Sequence, residues 1–347
     1  MLRNISILFC RLWLDIIRGL VIYRLLRSFF SSTDDLLDFD FSASNALFSV
    51  ASRLEKLYHG KAYVGLRIPD PDTGSRQHID LAFVTKGKVS VVSVKNFADF
   101  ISICKDGSWA CRDESGYKKQ SHPDPVAEAK KAASILESYL KRRGVALPVG
   151  NLPHLVVLPN PKFCSLNFLL SEYRPPPEVI TYLKWAQLKP ESKGMLSRWL
   201  KGAFCGAKKE TQEPMHQQLS FVLGTAPMWD RLELNGDKYV LGEFLEFKGK
   251  EEDIQVLRNI RRSKIDRLII QKTSIFGLGC YLSYESAAPL RLQVSYSPRD
   301  YRSEGASSSE WKELTVRSST EILFQPADSR KVRKVKLSTV VSMTLSA

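Results

Sequence analysis

The amino-acid sequence predicts an α/β domain followed by a smaller, mostly β domain of barrel or sandwich type. Between residues 40 and 165 the patterns follow the order helix, β-hairpin, strand, helix, strand, which is typical of an α/β layer. From residue 219 onward, short apolar runs alternate with turn signals such as Asn235-Gly236, which is typical of small β architectures. The length of 347 residues fits two folded units.

The composition is that of a basic globular protein. Apolar residues make up 44% of the chain and charged residues 25%. These values exclude a wholly disordered, collagen-like or polytopic membrane chain. The chain has 51 Lys and Arg against 37 Asp and Glu, a formal net charge of +14. Such an excess favours contact with phosphates or anionic lipid, and it is also compatible with a solvated surface that keeps the protein soluble.

The cysteine pattern indicates a reducing, intracellular compartment. The six cysteines form no CxxC pair and no nearby CxxxH, so zinc fingers and ribbons are not expected. A disulfide framework is not expected either, because the cysteines are too dilute in a chain of this length. The five histidines are scattered and no GxSxG elbow occurs, so nucleophilic catalysis finds no support.

Residues 1–30 are apolar but interrupted by charges. No uncharged run in this segment approaches the roughly 18 residues that span a bilayer. On a helix, Arg11, Asp15 and Arg18 share one stripe, so Asp15 can pair with both arginines. Three interpretations stay open: an in-plane amphipathic anchor on a membrane surface, an Arg-rich organelle-targeting segment, and a helix that packs on the protein's own core.

A predicted β-hairpin places polar side chains on one face of a sheet. A two-residue loop at residues 86–87 fixes the register of the flanking strands. Asp80 is then opposite Ser93, and His78 is opposite Lys95. Because side chains alternate along a strand, Asp80, Ser93 and Lys95 share one face. Opposite Cβ atoms lie about 5 Å apart, so two such side chains can share one cation.

Two predicted helices each carry a carboxylate beside their apolar side. In the helix from about Pro125 to Arg143, Glu128 falls inside the apolar arc, next to Ile135 and Tyr139. A carboxylate there is unfavourable unless a cation or a hydrogen-bond donor partners it. In the earlier helix, which Gly60 closes, Glu55 lies at the edge of the apolar stripe.

A family resemblance rests on the string Val92-Ser93-Val94-Lys95-Asn96, preceded by Ile79-Asp80 and followed by a helix that begins at Pro125. These residues resemble the nuclease-related (NERD) domain, most closely its plant members. The resemblance covers about residues 44–165, a third of the chain. It implies the PD-(D/E)xK restriction-endonuclease-like fold for residues 40–170.

The resemblance also implies a metal-dependent phosphodiester hydrolase site. Asp80 matches the metal-binding aspartate, Lys95 matches the active-site lysine, and Glu55 corresponds to the acidic residue of the first helix. Such a site holds Mg²⁺ with carboxylates and a backbone carbonyl, here that of Val94, and leaves room for water and the scissile phosphate.

Two positions depart from the family pattern. Ser93 stands where the second metal carboxylate is expected, and Glu128 stands where the helix glutamine is expected. Because a serine hydroxyl is a weak ligand for Mg²⁺, three hypotheses stay open. They are an active nuclease whose acid has moved to Glu128 or Glu55, an inactive nuclease fold that still binds nucleic acid, and a scaffold in which Asp80 and Lys95 form an ion pair. The rival class of function is a non-catalytic interaction protein on a membrane surface.

The rest of the chain is predicted to contain a basic connector at residues 171–218 and the β-rich domain at residues 219–345. In that domain, five cations occur within seven residues: Arg330, Lys331, Arg333, Lys334 and Lys336. Arg299 and Tyr301 belong to a stretch that interleaves aromatic residues with cations, as single-strand binders do. A phosphate track and a solvated edge strand protected from aggregation explain the five cations equally well. The sequence indicates no oligomeric state.

Overall fold

The computed structural model describes residues 41–85, 88–97, 100–103, 108–112, 119–145, 147, 152–162, 176–189, 212–257, 267–272, 289–296 and 310–346. The first part contains α1 (Ser42–Tyr58), β1 (Lys61–Pro69), β2 (Arg76–Thr85), β3 (Lys88–Val94), β4 (Phe100–Ile103), β5 (Trp109–Arg112), β6 (Lys119–His122), α2 (Pro125–Arg142), β7 (His154–Val157), β8 (Val179–Ile180) and α3 (Tyr182–Ala186). The second part contains α4 (Gln212–Gly224), β9 (Asp230–Leu234), β10 (Lys238–Lys248), α5 (Glu251–Leu257), β11 (Arg267–Lys272), β12 (Pro289–Tyr296), β13 (Glu310–Arg317), β14 (Glu321–Pro326), β15 (Arg333–Lys336), a 3-10 turn (Leu337–Thr339) and β16 (Val340–Thr344).

Some predictions concern residues outside these ranges. The amphipathic segment 1–30 and the residues Arg299 and Tyr301 are among them, so their roles stay predictions. Among the helices that are described, none is long and apolar enough to cross a membrane.

The first sheet has five strands in the order β1-β2-β3-β7-β8. β1, β2 and β3 are antiparallel, whereas β7 runs parallel to β3 and β8 runs parallel to β7. Thr85 pairs with Lys88, so the predicted register of the hairpin is confirmed. A second, three-stranded sheet in the order β4-β5-β6 lies between β3 and α2 in the chain.

The two long helices cover opposite faces of the five-stranded sheet. Leu54 of α1 shares a core with Leu81 and Val92, whereas Leu136 of α2 shares a different core with Val91. Because neighbouring residues of a strand point to opposite faces, Val91 and Val92 place the two helices on different sides. The side chains of Asp80 and Ser93 alternate with Leu81 and Val92, so they face α2.

Local signals in the sequence set the ends of these helices. The Asp124 carboxylate caps α2 by accepting a hydrogen bond of 2.9 Å from the Val126 N–H, and Pro125 follows at the first helical position, where no N–H is needed. The residue after α1, His59, caps the helix with a left-handed backbone (φ 52°). Gly60 comes next, where an added Cβ would lie 2.5 Å from the carbonyl oxygen of Val84. Gly60 is therefore required by close contact with β2.

The C-terminal sheet has eight antiparallel strands in the order β13-β12-β11-β16-β9-β10-β14-β15. β13 and β14 lie six strands apart, which in a flat sheet is about 29 Å. Residues 318–320 alone connect them, and such a connection spans at most about 14 Å. The sheet must therefore be strongly rolled, and Val316 and Val335 from its two edge strands belong to one buried cluster.

The described strands of the C-terminal part form no closed barrel, one of the two β architectures that were predicted. The rolled C-terminal sheet stays open, because its edge strands β13 and β15 pair with β12 and β14 but not with each other. Alternating apolar residues predicted the strands themselves. They carry no information on whether the two edges of a sheet meet, so closure was not predictable from them.

α4 packs on the same side of the five-stranded sheet as α2. Leu219, Val222 and Leu223 of α4 are buried in the core that α2 shares with β1, β2 and β3. The boundary predicted between a connector and a β-rich domain, at residues 218 and 219, falls inside this helix.

The chain between α4 and β9 attaches the C-terminal sheet to the free edge of β1. Arg67 N–H donates to the Pro227 carbonyl over 2.8 Å, and Trp229 N–H donates to the Gly65 carbonyl over 2.9 Å. Leu66 forms an isolated antiparallel bridge with Met228 between these two bonds. Trp229 is thereby fixed beside β1 and β2.

Candidate functional site

The hairpin and α2 form a pocket of about 170 Å³ around Asp80. His78, Ser93, Lys95 and Glu128 also line it. We call it the Asp80 pocket. Four of the residues predicted for the site are thus brought together, because the strand register and the helix that covers this face place them side by side.

Asp80 accepts three hydrogen bonds. Its Oδ2 accepts from the Ser93 hydroxyl over 2.9 Å and from the Val94 N–H over 2.8 Å. Its Oδ1 lies 3.0 Å from Nε2 of His78. The predicted position of Ser93 opposite Asp80 is confirmed by the first of these bonds. With its side chain only 19% exposed, Asp80 is held mainly by donors from the protein.

His78 has the orientation of a fixed donor to Asp80. Its Nδ1 faces the indole N–H of Trp229 at 3.0 Å. Since an indole nitrogen can only donate, Nδ1 accepts, and the proton of the neutral imidazole is on Nε2, which points at Asp80. His78 was not predicted as a site residue. The spacing His78-x-Asp80 on one strand was the available signal, since it places both side chains on the same face.

Lys95 and Glu128 form an ion pair at the mouth of the pocket, with 2.8 Å between Nζ and Oε2. Lys95 is a partner of the kind expected for Glu128, which was a cation or a hydrogen-bond donor. Glu128 is nevertheless 43% exposed and Lys95 29%, so Glu128 lies at the rim of the buried face of α2. Exposed pairs of this kind contribute about 0–1 kcal/mol to stability. The backbone N–H of Lys95 donates to Val157, which anchors the lysine to β7.

The surroundings of Asp80 favour its ionised form. Burial by itself raises the pKa of the Asp80 carboxyl. The hydrogen bond from His78, the hydrogen bond from the Val94 N–H and the charge of Lys95 act in the opposite direction and prevail, so the pKa of Asp80 lies below its ordinary value.

This direction predicts how Asp80 contributes to stability as the pH changes. The pKa is depressed in the folded state, so the contribution is complete above the unfolded value of about 3.9 and is lost as pH falls through the folded pKa. We expect Asp80→Asn to lower the free energy of unfolding by about 2 kcal/mol at neutral pH, because hydrogen bonds to a charged acceptor are lost. The deficit relative to wild type should shrink below about pH 3.9.

Thermal or urea unfolding of both proteins between neutral pH and about pH 2.5 measures this effect. Asp237→Asn is the matched control. Asp237 is exposed, and asparagine tolerates its left-handed backbone (φ 54°). A deficit for Asp80→Asn that stays constant across the whole range would contradict the depressed pKa.

The structure does not bring Glu55 to the Asp80 pocket. Its Oε1 accepts a hydrogen bond of 2.9 Å from the Ala62 N–H at the start of β1. α1 covers the face of the sheet opposite to α2, so a metal shared by Glu55 and Asp80 has no support from this placement. Val94 presents its N–H to Asp80, whereas the resemblance implied a role for its carbonyl.

Comparison with known families identifies the part of the chain that contains this pocket. Residues 43–159 match the family model of NERD, the nuclease-related domain. The matched range runs from α1 to β7 and contains every residue of the Asp80 pocket that is named above. No curated protein and no solved structure matches the chain.

The region that matches the NERD model places two carboxylates, those of Asp80 and Glu128, around the pocket. Hydrolysis of phosphodiesters commonly uses divalent ions, which require several oxygen ligands. In the described residues, no group of three or more His, Cys, Asp or Glu side chains is arranged to hold a metal. Ser93 directs its hydroxyl to Asp80, and the Glu128 carboxylate is bonded to Lys95. As Ser93 and Glu128 are bonded here, the side chains around Asp80 do not form a Mg²⁺ site.

The five predicted nucleic-acid-binding cations of the C-terminal sheet differ in exposure. They lie on the edge strand β15 and on the loop before it. Arg330, Lys331 and Lys334 are exposed, whereas Arg333 and Lys336 are half-buried and make other contacts. The alternating valines are divided as well, with Val335 buried and Val332 exposed. Three exposed cations are therefore available to a partner here.

Proposed function

We propose that this protein binds nucleic acid through its NERD domain and its C-terminal sheet without hydrolysing it. The hydrogen bond from Ser93 to Asp80 is the observation that carries this proposal. The side chain expected to be a second metal carboxylate is instead a neutral donor, so the pocket keeps its shape without a cation.

Charge supports the binding part of the proposal. The net charge of +14 favours phosphates, and exposed cations occur on the edge of the C-terminal sheet. Lys95 adds a partly exposed cation at the Asp80 pocket. Lys95 is paired with Glu128 at that pocket, so the exposed cations of the C-terminal sheet supply most of the expected attraction for the phosphate backbone.

A second candidate function is metal-dependent hydrolysis in the same pocket. It is favoured by one observation, the shared pocket of Asp80, Lys95 and Glu128. Asp80 and Glu128 would be the carboxylates that hold the divalent ion, which would require Glu128 to be released from Lys95. A third proposal, a non-catalytic protein that binds a membrane surface through residues 1–30 in an organelle or elsewhere in the cell, rests on the sequence alone.

One set of measurements with the full chain separates these proposals. We expect single-stranded DNA or RNA oligonucleotides to bind at about 50 mM salt in fluorescence anisotropy, because phosphate contacts dominate at low salt. We expect no Mg²⁺- or Mn²⁺-dependent cleavage above that of Asp80→Asn. Cleavage that Asp80→Asn and Glu128→Gln both abolish would establish the hydrolase. Affinity for anionic vesicles without affinity for oligonucleotides would establish the membrane protein.

A further inference from the structure

A second pocket lies where the NERD domain meets the C-terminal sheet. Its volume is about 420 Å³, within the range of sites that hold small ligands. Arg67 and Trp229 form one side, and Glu243 and Arg330 belong to the other, together with the chain from Gln325 to Ser329. We call it the Arg67–Arg330 pocket.

The two pockets are neighbours. Arg67 of β1 is the direct cross-strand partner of His78 of β2, and such partners have Cα atoms about 5 Å apart. Trp229 lines the Arg67–Arg330 pocket and donates a hydrogen bond to His78, which lines the Asp80 pocket. Lys95 lines the Asp80 pocket together with His78. His78 and Trp229 therefore lie between the two pockets, and a ligand that passes across His78 reaches from one to the other.

The Arg67–Arg330 pocket combines two guanidinium groups with two acidic residues, Glu243 and Asp328, and with the flat ring of Trp229. The guanidinium of Arg67 lies 3.9 Å from the ring centroid of Trp229 and 3.9 Å from a carboxylate oxygen of Glu243. The stack fixes the plane of the guanidinium, and an oriented guanidinium is the preferred partner of a phosphate. Arg330 supplies a second, exposed guanidinium. Two arginines from distant parts of the chain thus meet around one cavity.

His78 contributes a ring face between the pockets. Its two nitrogens are both used by the protein, one by Trp229 and one by Asp80. Its side chain is nevertheless 41% exposed. What His78 offers to a ligand is therefore the face of a rigidly held aromatic ring, which is a surface on which unpaired bases stack.

We infer that the Arg67–Arg330 pocket is a subsite for one nucleotide of a single-stranded nucleic acid, with Arg67 and Arg330 on its phosphate and an adjacent base stacked on His78. This inference rests on the proposed function. It adds where the strand binds, which residues contact the phosphate and which contacts the base, and a preference for unpaired strands. Glu243 pairs with Arg67, and both Glu243 and Asp328 oppose a phosphate in this pocket.

The test measures the affinity of the full chain for a labelled single-stranded 12-mer, for its duplex and for a nucleoside monophosphate. We expect Arg67→Gln and Arg330→Gln each to weaken binding of the single strand about 10-fold, whereas Glu243→Gln strengthens it. His78→Ala should also weaken it about 10-fold, and His78→Phe, which keeps a ring face, should retain most of the affinity. Matched controls are Arg76→Gln and Arg291→Gln, since both arginines are exposed and line neither pocket.

The outcomes separate this inference from the proposed function. If the single strand binds but the controls and the pocket variants lose affinity equally, the subsite is wrong while nucleic-acid binding stands. If the wild type binds no oligonucleotide, both fail. If only the nucleoside monophosphate binds, and Arg67→Gln and Arg330→Gln abolish it, the pocket holds a free nucleotide and the proposed strand is wrong. Unfolding temperatures of all variants show whether a loss reflects misfolding.

Discussion

Replacing Arg330, Lys331 and Lys334 together by glutamine should reduce the slope of log K against log salt by about 2 for single-stranded nucleic acid. Each phosphate contact contributes about 0.7 to this slope, and the structure exposes these three cations on the loop before β15 and on the strand itself. Between 50 and 200 mM salt, the wild type should then lose roughly 20-fold more affinity than the variant. Anisotropy titrations at four or five salt concentrations measure both slopes.

A control with the same change in net charge tests whether position matters. Lys56, Arg142 and Arg291 are exposed cations far from β15 in the chain. Replacing these three by glutamine should leave the slope close to that of the wild type. An equal reduction in both triple variants would show that net charge, and not the β15 segment, holds the phosphates. Arg333 and Lys336 should contribute less than the exposed three, because both are half-buried and make other contacts.

The features of the site that depend on local pairing were predictable from the sequence. A two-residue turn fixes the register of a hairpin, so the contact between Asp80 and Ser93 followed from counting residues. A cation or hydrogen-bond donor beside Glu128 was predicted from its place in an apolar arc, and Lys95 lies there, although the Glu128 side chain is exposed. The family match over residues 43–159 agrees with the string around Lys95 that suggested it.

The features that depend on how distant segments meet were not predictable in this way. Trp229 reaches His78 across 151 positions of the chain, and no periodicity encodes such a contact. The position of Glu55 depended on which face of the sheet α1 would cover. A single strand pattern does not decide this when both faces are apolar, as they are in β2 and β3. The open edge of the C-terminal sheet was not predictable either, because it depends on whether the distant strands β13 and β15 meet.

The largest effect at the Asp80 pocket is expected from Ser93→Glu. This change places a carboxylate directly opposite Asp80, at the position where the sequence resemblance implied a second metal-binding carboxylate. Without metal, two like charges in a nearly buried position should lower the unfolding temperature and raise the pKa of one carboxyl. With Mg²⁺ or Mn²⁺ present, the added charged ligand should raise metal affinity by on the order of 10-fold or more.

Metal titration followed by calorimetry, together with unfolding in the presence and absence of Mg²⁺, measures both effects. A metal at 100 times its dissociation constant stabilises the folded state by about 2.7 kcal/mol, so the Ser93→Glu variant should regain stability that the wild type does not gain. Ser93→Gln is the matched control, because glutamine has nearly the same size as glutamate and no charge. The double variant with Asp80→Asn should lose the response, since one carboxylate is again removed.

The same variant decides whether the NERD domain of this chain retains the geometry of a nuclease. If Lys95 and Asp80 still stand where a scissile phosphate is positioned, Ser93→Glu should produce Mg²⁺-dependent cleavage, and adding Lys95→Ala should abolish it while metal binding persists. A folded Ser93→Glu protein that binds no metal would show that Asp80 serves His78, Ser93 and Val94 as a structural acceptor only. Binding of nucleic acid would then be a property of the cationic surface, independent of the pocket that the family match identifies.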